Sequence, residues 1–225
     1  SFAAMISAFG EKMETFRWGI APFAAILAVI VVLLRLEPHN SAIVIIVCTA
    51  GAMLFLGGVK YRWFILGGLA MLLGLILILG AGGYEASRIT AWQDPFSDPT
   101  DDGYQIIQSL YAIGSGGLFG LGLGNGRQKY LYLPEEHNDY IFSIACEELG
   151  LAGAVGILIL YSLLILRGYW ISMHIRDRFL SLTVAGITTL TALQVFFNIG
   201  VVTNLLPSTG ISLPFFSYGG TALLI

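Results

Sequence analysis

"LPEEHNDYIFSIACEELGLAGAVGILILYSLLIL", residues 133 to 166, decides how this chain is read. Its opening seven residues hold three carboxylates, Glu135, Glu136 and Asp139, and one histidine, His137. From Leu149 to Leu166 it carries no charge. About 20 mostly apolar residues suffice to cross the hydrocarbon core of a bilayer. The stretch therefore sets ionisable chemistry at the mouth of a membrane span.

Charge-free runs recur on both sides of it. Trp18 to Leu34, Ser41 to Val59, Trp63 to Tyr84 and Phe179 to Ile225 contain no Asp, Glu, Lys or Arg. Pro207 and Pro214 divide the last run, because proline lacks a backbone donor and disfavours helix before it. The pattern predicts spans at about 18–36, 41–59, 63–84, 140–166 and 179–202, and the start of another at about 217. They form a single transmembrane unit over 1–225. The first ten residues are apolar but too few to cross. Of the 225 residues 56% are hydrophobic and 11% charged, against about 25% charged in a soluble domain. The fold class is all-α, a polytopic membrane bundle. The net charge of -3 and the lack of a basic patch argue against nucleic acid. Cys48 and Cys146 lie in apolar runs and read as buried thiols; nothing has disulfide or zinc spacing. The chain starts at Ser1 and stops within an apolar run, as a piece of a longer protein would.

The connections alternate in charge. Lys12 and Arg17, Lys60 and Arg62, and Arg167, Arg176 and Arg178 make one set. The excess of Lys and Arg stays cytoplasmic, which places segment 85–139 outside. That segment far exceeds the roughly 12–15 residues beyond which loops are usually functional. "WQDPFSDPTDDG" reads as turns. "YQIIQSLYAIG" has Tyr104, Ile107, Leu110 and Tyr111 near helical spacing, and its polar Gln105, Gln108 and Ser109 suggest a helix lying on the membrane surface. Seven glycines follow between Gly114 and Gly126, too many for a helix at about 1 kcal/mol each.

Asp139 stands where water gives way to lipid. A partly desolvated carboxylate there can take a proton from an alcohol held in a cleft, or it can cap the helix that follows. Arg127 and Lys129, beside flexible glycines, suit a phosphate or pyrophosphate or the anchoring of headgroups. Glu147 and Glu148 are either functional acids or structural ones paired with backbone. "LLPSTGISLPFFSYGG", residues 205–220, cannot be regular helix; such backbone near lipid is buried in protein or lines a cavity. Pro207, Ser217, Tyr218 and Gly219 are its candidate wall residues.

These blocks resemble the SEDS family (shape, elongation, division, sporulation), which includes RodA, FtsW and SpoVE. The likeness rests on "GYQIIQSLYAIGSGGLFGLGLGNGRQKYLYLPEEHNDYIFSIACEELGLAG", on "LPSTGISLPFFSYGGTALLI", and on "AWQDPFSDPTDDGYQ" and "LEPHNSA". The phenylalanine pair in "LPFFSYGG" is closer to the FtsW and SpoVE branch. The resemblance implies a ten-span bundle of which this chain is the latter part, with the long extracellular loop before Asp139. It implies a peptidoglycan glycosyltransferase in the bacterial plasma membrane, with its active site on the extracytoplasmic side. Such an enzyme polymerises lipid II in division or sporulation, alongside a class B penicillin-binding protein. Asp139 matches the family's essential aspartate. Asn138 stands where many relatives have threonine, and "LEPHNSA" departs from "LEPDLGTA", so no acidic role is carried onto that turn. On this reading Asp139 is the general base, and Arg127, Lys129, Glu135, His137 and Asn138 bind substrate. The reading names no particular cofactor; the acids could hold Mg²⁺ or another divalent cation. The rival readings are a lipid II flippase and a noncatalytic scaffold for a transpeptidase.

Overall fold

Helix accounts for nearly all regular structure. In this computed structural model, residues 2–10, 13, 15–36, 40–68, 91–97, 99, 103–127 and 138–218 are described. Among them there are no strands. The elements are α1 (Phe2–Phe9), α2 (Phe16–Gly19), α3 (Ala21–Leu36), α4 (Asn40–Leu56), a 3-10 turn at Pro95–Ser97, α5 (Tyr104–Gly116), α6 (Ile141–His174) and α7 (Arg178–Val202). Residues 61–68 are also helical. Among the described residues three stretches are long and apolar enough to cross a membrane: Phe16–Leu36, Ile141–His174 and Arg178–Val202. Most of the expected span 63–84, the segment after Gly219 and parts of the loop 85–139 lie outside the described residues.

Two compact units divide the chain, Ser1–Leu77 with Leu164–Leu193, and Ile78–Leu163 with Gln194–Ile225. In the first, Ala3, Ile6, Met13, Phe23, Val59 and Leu182 form the core, with the rings of Phe2 and Phe23 edge to face at 5.0 Å. Pro22 sits in the first turn of α3, where a missing N–H costs nothing. The chain leaves α4 through Gly57 and Gly58, the latter at φ 90°. Arg178 donates to the Gly57 carbonyl at 3.0 Å, a cation meeting the negative end of a helix. The portions of α6 and α7 in this unit are tied by Tyr169 and Thr189, 2.8 Å apart, and by Ser172, which donates to the Ser181 carbonyl at 2.9 Å.

The second unit has a core of Tyr140, Phe142, Ile144, Cys146, Ala154, Ile157, Tyr161, Val195, Val201, Val202 and Leu213. Its α5, a helix as the spacing predicts, buries one face in protein. Ile106, Ile107, Ser109, Ala112 and Gly116 are buried. Ser109, read from the sequence as part of a polar outer face, donates to the Val202 carbonyl at 2.7 Å and lies 2.7 Å from the Ser143 hydroxyl. The reason is local. The last carbonyls of α7 have no partner within their own helix, and a buried serine supplies one. Trp92 and Asn204 exchange hydrogen bonds beyond the same helix end, at 3.1 and 3.4 Å.

Candidate functional site

The site is built on a helix that breaks. Gly150, at φ 66° and ψ -168°, interrupts α6. The short part before it would end in orphan carbonyls, and the part after it would begin with orphan amides. The glycine-rich segment after α5 supplies two partners to each end. Leu121 and Gly122 donate to the carbonyls of Glu147 and Glu148, each at 3.0 Å. Leu151 and Ala152 donate to the carbonyls of Gly117 and Leu118, at 2.9 and 3.1 Å. Residues 116–122 thus form a strap pressed backbone to backbone on the break. A Cβ on Gly116 would come within 2.0 Å of the Cys146 carbonyl oxygen, and one on Gly120 within 2.1 Å of the Glu148 carbonyl oxygen.

The strap continues to Arg127, whose backbone N–H donates to Glu147 Oε1 at 2.8 Å. Glu147 is only 1% exposed. This contact is of the kind the structural reading of that acid anticipates. The Arg127 side chain is exposed. Lys129, Glu135, His137 and Gly219 lie outside the described residues.

At the start of the broken helix, residues 138–140 form a turn and α6 begins at Ile141. Asn138 and Asp139 are half-buried. Both α7 and the segment after it meet them. Ser217 donates to the Asn138 carbonyl at 2.6 Å, and Asn198 to the Asp139 carbonyl at 2.6 Å. Gly210, at φ 60°, lies beside the carboxylate; a Cβ there would stand 3.2 Å from Asp139 Oδ2. Among the wall candidates, Ser217 is buried against Asn138, Pro207 is half-buried and Tyr218 is exposed. Asn198 and Gly210 were not singled out from the sequence. The available signal was an amide inside the uncharged run of α7, where polar groups are expensive. Among the described residues no group of three His, Cys, Asp or Glu is placed to hold a metal ion.

The profile of the cell cycle protein family of FtsW, RodA and SpoVE matches residues 1–225. The chain belongs to that family. Stage V sporulation protein E of Bacillus subtilis is 42% identical over 223 residues, covering 99% of this chain and 61% of that protein. A probable peptidoglycan glycosyltransferase FtsW of Legionella pneumophila is 47% identical over 204 residues, covering 89% of this chain and 52% of that one. A chain from a peptidoglycan synthase complex that coordinates polymerization and crosslinking aligns with TM-score 0.80 at 27% identity. That alignment covers 98% of this chain and 62% of the other. The rod shape determining protein RodA of Thermus thermophilus aligns with TM-score 0.57 at 26% identity, over 99% of this chain and 58% of that one. The family assignment agrees with the sequence resemblance. This chain spans only about three fifths of the length of such relatives.

Proposed function

We propose that the protein to which this chain belongs polymerises lipid II by inverting glycosyl transfer, with Asp139 as general base. One observation carries the reading: a half-buried aspartate at the mouth of a membrane-spanning helix, its neighbouring peptides pinned by α7 and by the segment after it. The FtsW relatives named as peptidoglycan glycosyltransferases support it.

In this mechanism the 4-hydroxyl of an N-acetylglucosamine attacks the anomeric carbon of a muramyl pyrophosphate. Asp139 takes the hydroxyl proton as the new C–O bond forms, and the lipid pyrophosphate departs from the opposite face. Pyrophosphate is already a good leaving group. It needs charge stabilisation more than protonation, so one carboxylate serves where glycosidases use two. Arg127 and Lys129 are the proposed cations. Glu135, His137 and Asn138 are proposed to orient the base or the sugar. General-base assistance contributes about 10²–10⁴-fold, and positioning supplies much of the rest. The membrane is the bacterial plasma membrane, with the acidic mouth extracytoplasmic. The partner is a class B penicillin-binding protein, a proposal supported by the likeness to a chain of a synthase complex.

The test uses the full-length protein with its transpeptidase partner and purified lipid II. Asp139→Asn should insert and fold as wild type yet form no glycan polymer on a gel. Substantial polymer from that variant would remove Asp139 from the role.

A further inference from the structure

We propose that Asn198 and Ser217 are positioning residues for the Asp139 carboxylate, acting through the two peptide groups that flank it. This rests on the reading of Asp139 as the base. A peptide unit is planar. The Asn138 carbonyl belongs to the plane before the Asp139 Cα, and the Asp139 carbonyl to the plane after it. Ser217 holds the first at 2.6 Å and Asn198 holds the second at 2.6 Å. With the oxygen of each plane held, φ and ψ of Asp139 are restrained, and with them the direction of its Cα–Cβ bond.

The polarity of each latch is determined. Ser217 Oγ accepts the Leu213 N–H at 2.8 Å, so its own proton is directed to the Asn138 carbonyl. Asn198 Nδ2 meets two carbonyls, those of Asp139 and of Ile211, the latter at 2.7 Å. Two carbonyls can be served only by the NH₂ end of an amide. Asn198 is 1% exposed, and its Oδ1 has no hydrogen-bond partner among the described residues. A buried polar atom left unmade is costly. The position spends that cost to keep both protons on backbone, so donors are what it requires. One amide thus ties the main chain at Asp139 to the main chain at Ile211. Gly210, lacking a Cβ, leaves the carboxylate room to reach its working rotamer.

Misplacing a reacting group by about 1 Å can cost on the order of 100-fold in rate. We therefore expect Ser217→Ala and Asn198→Leu, in the full-length protein with its partner, to lower kcat for lipid II polymerisation about 10- to 100-fold. KM for lipid II should stay within about twofold, and Ser217→Thr, which keeps the hydroxyl, should recover most of the rate. A role in stability alone would lower the folded fraction and leave the turnover of folded molecules unchanged. Should Asn198→Leu fail to yield folded protein, Ser217→Ala carries the test. A kcat within twofold of wild type, or a loss confined to KM, overturns the latch. Asp139→Asn run in parallel separates the two ideas. If it retains polymerisation, the base assignment falls. If it is inactive while the latch variants turn over normally, only the latch falls.

Discussion

Two irregular stretches of the second unit are held by opposite means. The strap, residues 116–122, is bonded across the Gly150 break from main chain to main chain, amide to carbonyl. The segment 207–217 is held by side chains: Asn198 on the Ile211 carbonyl, Tyr161 on the Pro214 carbonyl, and Ser217 on the Leu213 N–H. A main-chain clamp is indifferent to side-chain chemistry but tolerates no Cβ at the crossing. A side-chain latch tolerates bulk nearby but depends on particular hydroxyl and amide groups. The first kind fixes the shape of the helix break; the second adjusts what stands beside Asp139.

Substitutions that confuse the two should separate them sharply. Gly120→Ala puts a Cβ within 2.1 Å of a backbone oxygen at φ 81°. It should destabilise the detergent-solubilised full-length protein by roughly 2–5 kcal/mol, combining left-handed strain with overpacking. A thermal melt unchanged from wild type would mean the strap is not pressed on the break. Tyr161→Phe removes one hydroxyl from the latched segment and leaves the Pro214 carbonyl wanting a donor. It should cost about 1 kcal/mol in the same melt; a loss as large as that of Gly120→Ala would erase the distinction. Gly114→Ala, just upstream in α5 with nothing within 4 Å of the new methyl, reverses the sign. It should stabilise by about 0.5–1 kcal/mol, the helical preference of alanine over glycine. A destabilising result there would show that the crowding extends further up the chain.

How much of this was legible beforehand follows from what each signal encodes. Charge-free runs report the long helices because bilayer thickness sets their length. The run of glycines announced irregular backbone, but it could not name the surface pressed against it, since Cys146 and Glu148 lie far along the chain. Gly150 was invisible as a break: one glycine in an apolar run is compatible with continuous helix, and only the strap makes the interruption affordable. Ser109 misled because amphipathic spacing treats every hydroxyl as outward, whereas an orphan carbonyl at the end of α7 draws this one inward. Asp139 stood out, being an acid at the edge of an uncharged stretch. Its supports did not, because Asn198 and Ser217 are identified by which carbonyls they reach, and that is known only once the chain has folded.

The Gly150 interruption has one more implication. Severed helices in transporters offer their bare amide and carbonyl ends to ions or charged cargo at mid-bilayer. Here two of the carbonyls and two of the amides at the break are bonded to Leu121, Gly122, Gly117 and Leu118. The joint is a main-chain weld: both halves of the severed helix lean on one short strap, so neither half can shift without dragging it along.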